Sequence, residues 1–561
     1  MSQAEAADWI ARAKRAEQAG DIANSARIYD EALLAFADQP ALANSAGDFS
    51  MRHGDRAKAA KLFEQACRLA PTNIEYAVNH AIALQALGKF AKALASLKSV
   101  EGEAAKGVPK YCSVRATCER ARGNLGEAAW WYDRAIRLNP RHVKAHHGRA
   151  RVAIERAEVD AVARFDLALA LNPGEADLWL GKAQALDVSG EVASARSIAE
   201  QLCERAPAWV EGLRFLAQLR LAAGEKDFTS HYRTAADRAP DARAIFHDWI
   251  EQLAGLDLAK EAAEVAAEAK RRFPNEPLFA LVQAVHAGSA GEDDNAEKIF
   301  ASLAFDAPLR SLHEARHRIR RGELEEAEAL IDAVLSVEPE NIAAWALIGI
   351  VWRLIDDARA EWLHGQSGLY RQMPLEGHSS VLSEASPLLH RLHDKSPLPL
   401  GQSLRGGTQT RGQLFDRIEP ELKALHNAIL RTVERYRREL PAEDPTHPLL
   451  RHRVHPWKIT NSWSVRLSGG GDYHTSHIHP QGVISSALYF ERSNKREEDP
   501  HAGWLEIGRP PPDLRLDLPP LELREPKPGH LTLFPSTLYH GTRPFGADRR
   551  MTVAFDVVPV D

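Results

Sequence analysis

The sequence predicts a multidomain fold: an all-α solenoid of helical repeats followed by a mainly β domain of the sandwich or barrel kind. Three observations predict it. An alanine–aromatic–alanine pattern returns about every 34 residues through the first part of the 561-residue chain. That register stops near Trp362, after which Gly, Pro, Ser and His become frequent. Beyond Pro441, short β-rich runs follow one another between Gly/Pro turns. The expected boundaries are a solenoid over 1–362, a connecting loop and helix over 363–450, and the β domain over 451–561.

The recurring pattern reads Ala59-Phe63-Ala66, Ala128-Tyr132-Ala135 and Ala161-Phe165-Ala168. Its first alanine falls at Ala26, Ala59, Ala93, Ala128, Ala161, Ala195, Ala262, Ala296 and Ala327, with Phe228 in the slot between Ala195 and Ala262. Spacings of three and four put these residues on one helical face, where alanines let two helices approach and the aromatic fills the gap beside them. Prolines keep the same period (Pro71, Pro140, Pro173, Pro207, Pro240, Pro274, Pro308 and Pro339), marking where one unit ends and the next begins. Gly20, Gly54, Gly88, Gly123 and Gly190 fall between the two helices of a unit. This register resembles the tetratricopeptide repeat (TPR) family over roughly residues 5–342, about ten units, with an extra helix near 343–362. Most units lack the family's early Trp and Gly. The resemblance implies stacked helix pairs with one continuous core and a concave groove that holds a peptide or protein. An array serving only to form a homodimer is the plainer role. His146, His147, Arg316 and Arg320 could line the groove, though a solvated helix face is the commoner setting for such residues.

Composition excludes several classes. Net charge is −6, with 44% hydrophobic and 26% charged residues, so no basic excess points to nucleic acid. Cys67, Cys112, Cys118 and Cys203 form no Cys-x-x-Cys pair, which argues against a zinc ribbon or disulfide framework and for a reducing compartment. The first twenty residues lack a basic head followed by an apolar run, and no stretch of eighteen apolar residues occurs. The expectation is a cytoplasmic protein without a membrane span.

After Trp362 the segment 397–410 reads as a loop. Apolar residues at helical spacing predict a helix from about Leu414 to Leu440, ended by Pro441. Strands are expected at KITNSWSVRL, GVISSALYF, GWLEIG, HLTLFP and RRMTVAFDVV.

Histidines gather in this part. HTSHIHPQG holds His474, His477 and His479, and FPSTLYHGTRP holds His540. Two residues apart in a strand share a face, so His477 and His479 can point into one cavity while His474 takes the other parity. A folded sheet can bring His540 to them, and imidazole suits Fe, Zn, Cu or Ni. A lone histidine is more often structural or exposed, and His452, His455, His501 and His530 are read that way.

The order of these motifs resembles the double-stranded β-helix (jelly-roll, cupin-like) oxygenases dependent on Fe(II) and 2-oxoglutarate, and within them a group often found beside TPR arrays. That group's features read here as SWSVRL, HIHP, SSALYF, GWLEIG, FPSTLYH and RMTVAFD, over about 455–558. The resemblance implies His477 and His540 as metal ligands and Arg550 as the partner of the far carboxylate of 2-oxoglutarate, a task suited to a guanidinium fork. Tyr489 stands where related hydroxylases touch the same carboxylate, and Arg549 should point to the opposite face. Many members of the superfamily carry His-x-Asp; His479 stands in place of that Asp, as a third metal ligand or just behind the ligands. Trp463, Trp504 and Phe534 are candidate cavity walls, core packing being the commoner role.

The function this implies is a dioxygenase using Fe(II), 2-oxoglutarate and O2 to hydroxylate a peptide or protein held in the TPR groove. Three other readings stay open: an inactive scaffold, a 2-oxoglutarate-sensing scaffold, and a three-histidine zinc enzyme.

Overall fold

The computed structural model describes residues 3–492, 499–546 and 549–560. The chain divides into two compact units, Met1–Ala185 and Leu186–Asp561.

The first unit is built of antiparallel helix pairs, among them Pro40–Arg52 with Arg56–Leu69 and Pro109–Ala121 with Leu125–Leu138. The alanine–aromatic register is its core: Ala59, Phe63 and Ala66 are all buried. Each aromatic ring lies where the facing helix has no side chain. A Cβ added to Gly148 would stand 2.2 Å from Tyr132, and one added to Gly181, in the helix that runs on into the second unit, 2.3 Å from Phe165. Caps fix where helices begin: Asp55 accepts from the Lys58 amide and Asn73 from the Tyr76 amide. Pro40 and Pro109 occupy first-turn positions, where a missing N–H is harmless.

The second unit continues the pairs. Their first helices are Val210–Ala222, Arg243–Ala254, Pro277–Ser289, Pro308–Arg321 and Ile342–Leu354. A π-helical turn, Glu361–Gly365, leads into the β domain. Its strands are β1 (Arg371–Pro374), β2 (Leu404–Arg405), β3 (Thr408–Gln409), β4 (Trp457–Leu467), β5 (Tyr473–His474), β6 (Ile484–Glu491), β7 (Leu505–Ile507), β8 (Glu522–Arg524), β9 (His530–Pro535), β10 (His540–Thr542) and β11 (Arg550–Pro559). An antiparallel sheet ordered β1-β9-β6-β11-β4-β3 faces a smaller one ordered β10-β7-β8, and β2 pairs with β5. This is the two-layer antiparallel build expected of a jelly-roll domain. Two strands of the large sheet, β1 and β3, come from upstream of residue 451.

The helix expected over 414–440 is interrupted at its start. Leu414–Asp416 is a short 3₁₀ turn and the α-helix is Pro420–Glu439. Pro420 sits in its first turn and Glu419 before it is extended, because a residue preceding proline is pushed out of the α region. Leu422, Leu425, Ile429, Val433 and Tyr436 of this helix pack on Leu488, Leu531, Met551, Val553 and Phe555 of the large sheet. Each such buried side chain contributes about 1.5–3 kcal/mol, which fixes the outer face of the sheet and leaves its inner face for a cavity.

Within the second unit the β domain sits against one face of the repeats. The contacts come from successive first helices or the turns just after them. Asp187 pairs with Arg411 at 2.8 Å. Gln218 donates to the Leu398 carbonyl at 3.0 Å and accepts from the Leu400 amide at 2.6 Å. Asp257 pairs with Arg405 and Asp293 with Arg515. Arg316 grips both oxygens of Asp513 at 2.6 and 2.7 Å and donates to the Tyr539 hydroxyl at 2.9 Å. Arg353 donates to the Gly508 and Pro519 carbonyls. Arg316, and Arg320, whose side chain is 2% exposed and pairs with Asp513 at 3.7 Å, therefore lie in a seam, where the sequence suggested a solvated helix face. No helix among the described residues is long and apolar enough to cross a membrane.

Two consequences are measurable. Burial pushes His286 and His313 of this seam down to about 4, and His364 and His393 down to about 3. Unfolding releases them to an ordinary pKa near 6.5, so below that pH the unfolded chain binds more protons. Stability is thus full at pH 7 and falls as pH drops from about 6.5 toward 4, by up to about 1.4 kcal/mol per pH unit for each such histidine. Urea unfolding of metal-free protein at pH 7.5 and 5.5 checks this, and an unmoved midpoint would refute it. Second, a Cβ on Gly255 would lie 2.5 Å from the Gly401 backbone. Gly255→Ala is expected to destabilise the protein by about 1–3 kcal/mol in the same assay, since backbone cannot swing aside as a flexible side chain can.

Candidate metal centre

Strand β11 shows how one strand makes two surfaces. Met551, Val553, Phe555 and Val557 point into the helix-covered core. Arg550, Thr552, Ala554 and Asp556 alternate with them and line a cavity of about 590 Å³. Arg549 is exposed while Arg550 is buried, as the two parities require.

His477, His479 and His540 meet in this cavity, each offering one ring nitrogen, all within 4.8 Å of one another. His477 and His479 do not stand on a regular strand, as the two-apart spacing had suggested. They follow β5 in an irregular stretch, pinned by one antiparallel bridge in which His477 and His540 exchange backbone hydrogen bonds of 3.0 and 2.9 Å. Trp463 packs beside the His479 ring at 5.3 Å, and Phe534 stands edge-on to His540 at 4.8 Å.

The hydrogen bonds settle which nitrogen of each ring is free. His477 Nδ1 lies 2.8 Å from the Thr475 carbonyl and His540 Nδ1 3.1 Å from the Leu538 carbonyl. A carbonyl can only accept, so both Nδ1 atoms carry the proton. His479 Nδ1 lies 2.5 Å from Asp556 Oδ1, again an acceptor. His477 and His540 therefore keep a lone pair on Nε2 when neutral, and His479 turns its Nε2 toward the same point. His477 Nε2 and His479 Nε2 stand 3.0 Å apart, close enough for one ion to bridge both rings. Burial and the neighbouring rings push His477 down to about 3 and His540 well below its ordinary value, which keeps both neutral. The donor set fits a divalent transition metal.

Arg550 lines the same cavity. Among the described residues its Nε and Nη1 are buried without a hydrogen-bond partner, and so is the Tyr489 hydroxyl. The guanidinium carbon is 5.2 Å from the Tyr489 ring. Burial lowers Arg550 and raises Tyr489, while each opposes the shift of the other. A buried guanidinium lining a cavity is the complement of a carboxylate.

The structure adds residues that the sequence reading did not select. His474 was assigned the opposite parity, yet its ring stacks 5.9 Å from His477 and lines the cavity. Ser403 Oγ lies 3.2 Å from both His474 Nδ1 and His477 Nε2. Ser403 belongs to a strap, residues 397–413, that forms one cavity wall and carries the Gln218, Asp257 and Asp187 attachments to the repeats. Asp556 was visible in principle: it lies six residues from Arg550, on the same face of one strand. Trp504 instead packs against His501 at 4.6 Å, beside a small recess that Arg550 also lines. His452, His455, His501 and His530 do not line the cavity.

Comparison with known proteins agrees with this layout. Residues 461–556 match the family described as "Putative 2OG-Fe(II) oxygenase". Residues 10–74, 78–143 and 146–208 match a tetratricopeptide repeat family. Protein FlbA of Caulobacter vibrioides is 30% identical over 169 residues, which are 30% of this chain and 28% of that protein, so the match spans little more than a quarter of the relative's length. Among solved structures, a tetratricopeptide repeat protein from Parabacteroides merdae is 19% identical, with 44% of this chain and 97% of that chain covered, at a TM-score of 0.36. YrrB, described as a TPR protein with an unusual peptide-binding site, is 20% identical over 30% of this chain and 86% of that chain, at a TM-score of 0.27.

Proposed function

We propose that this protein, in which tetratricopeptide repeats are joined to a domain of the 2OG-Fe(II) oxygenase family, is an Fe(II)- and 2-oxoglutarate-dependent dioxygenase that hydroxylates a peptide or protein side chain. The observation that carries the reading is the convergence of three histidine ring nitrogens in the cavity that Arg550 also lines. His477, His479 and His540 would hold the metal. Bound Fe(II) supplies the oxidative decarboxylation of 2-oxoglutarate by O2 to succinate and CO2, with the second oxygen atom passing to the substrate. Arg550 would hold the far carboxylate of 2-oxoglutarate through its guanidinium, and the Tyr489 hydroxyl beside it would donate to the same group. Trp463 and Phe534 fix the histidine rings and keep that side of the cavity dry. Three neutral imidazoles are also a zinc set; the buried Arg550 favours a reaction with an anionic cosubstrate.

Reconstitution with Fe(II) under anaerobic conditions, then addition of 2-oxoglutarate and O2, tests the chemistry. Wild type is expected to form succinate, with loss of at least tenfold in His477→Ala, His540→Ala and Arg550→Ala. Succinate formation that survives all three substitutions would overturn the site. No succinate together with stoichiometric zinc in the purified protein would favour the zinc reading.

The repeats suggest a macromolecular substrate, because a second contact away from the reacting residue raises effective concentration. In the second unit the first-helix face is occupied by the protein's own β domain, so we assign partner recognition to the helix pairs of the first unit. A chain beginning at Ala176 keeps every seam contact described above. It is expected to retain basal succinate formation and to lose at least tenfold of the one-oxygen mass increments that the full chain introduces into proteins of a cell extract. Equal protein hydroxylation by both forms would sink the assignment.

A further inference from the structure

We infer that Asp556 is the positioning carboxylate of the metal centre, acting through His479 to supply the negative charge that a set of three imidazoles lacks. The inference rests on the metal-centre reading above. Its basis is an asymmetry among the three histidines. His477 and His540 each give their Nδ1 proton to a neutral backbone carbonyl, of Thr475 and Leu538. His479 gives its proton to a carboxylate at 2.5 Å. An imidazole whose far nitrogen is bound to an anion is a stronger donor at its near nitrogen, and its ring orientation is fixed by a charged hydrogen bond.

Asp556 is held for this task. It is buried, with only 7% of its side chain exposed. Its second oxygen accepts from Asn461 Nδ2 at 2.9 Å. Asn461 Oδ1 accepts in turn from Gln413 Nε2 at 3.2 Å, and Gln413 Oε1 accepts from the Ser462 amide at 2.7 Å. Both oxygens of Asp556 are thus committed, and the carboxylate faces the metal position across the His479 ring. The charge that the commoner two-histidine, one-carboxylate arrangement places on the metal stands here one hydrogen bond behind it. The strap that carries Gln413 is the segment fastened to the repeats by Gln218 and, through Arg411, by Asp187. Asp556 therefore also ties the ligand set to the wall of the cavity.

The test uses Co(II) alone on the metal-free full chain, read by equilibrium dialysis and by the visible d–d absorption of the bound ion, with no turnover required. Asp556→Ala is expected to weaken Co(II) binding by about 10- to 100-fold. Asp556→Asn, which keeps the shape and an acceptor but loses the charge, is expected to weaken it less and to shift the absorption band. If the alanine variant fails to give the wild-type circular dichroism spectrum, the near-isosteric asparagine variant carries the test. Wild-type affinity and an unshifted band in the folded variants overturn the role of Asp556 and leave the metal centre standing. No Co(II) binding by the wild type overturns the centre itself. Weakened binding in the variants beside a wild type that forms no succinate supports Asp556 and removes only the oxygenase chemistry.

Discussion

Two backbone hydrogen bonds between His477 and His540 set the geometry on which the rest of the site depends. They join a stretch following β5 to the start of β10, segments more than sixty residues apart in sequence. Neither partner brings much regular ladder to the contact, since β10 is three residues long and His477 belongs to no named strand. What holds them is packing: the large sheet with Phe534 on one flank, and Gly541 on another. A Cβ on Gly541 would lie 2.8 Å from the His474 carbonyl, so only glycine lets the two backbones come this close. Once the bridge is made, the carbonyls of Thr475 and Leu538 lie beside the two rings and dictate their tautomers. Metal competence is then a property of the backbone path, with the side chains following from it.

The seam extends the same logic outward. A cavity wall made of a strap such as 397–413, with little strand of its own, has few internal hydrogen bonds to define it. Gln218 supplies both a donor and an acceptor to the strap, and the ion pairs at Arg411 and Arg405 fix its two flanks. Arg316 grips both Asp513 and Tyr539. The repeats next to the β domain are therefore better described as a scaffold for that domain than as a free groove.

Much of this was legible in the sequence because two periodicities carry it. The Ala59-Phe63-Ala66 register exposes helix pairs, since close helix packing admits few residue types. The alternation in RMTVAFD separates Arg550 from Met551, since the two faces of β11 meet a cavity and a hydrocarbon core. What the sequence hid lacks a local signal. The short strands β1, β2, β3 and β5 contribute two to four residues each, and tertiary pairing alone makes them strands. His474 and Ser403 meet through the β2–β5 pair, a contact of sequence-distant residues with no motif of its own. His477 and His479 were grouped for the wrong local reason, a strand that is absent, while the two-residue spacing still let both rings reach one point.

The same reasoning separates the two roles of the helical array. In the second unit, the positions that meet the β domain recur once per repeat on the first helix or just beyond it: Asp187, Gln218, Asp257, Asp293, Arg316 and Arg353. In the first unit, polar residues on first helices bind one another instead. Asn79 donates to Asn44 Oδ1 at 3.0 Å and Lys110 donates to Asn79 Oδ1 at 3.0 Å, while Arg120 grips Glu155. A repeat array can carry such different inner faces because each repeat contacts only its neighbours, so that one stretch can be recruited as scaffold without constraining the other. The seam thus occupies the first-helix face of its own repeats, while the polar first-helix residues of the first unit bind one another.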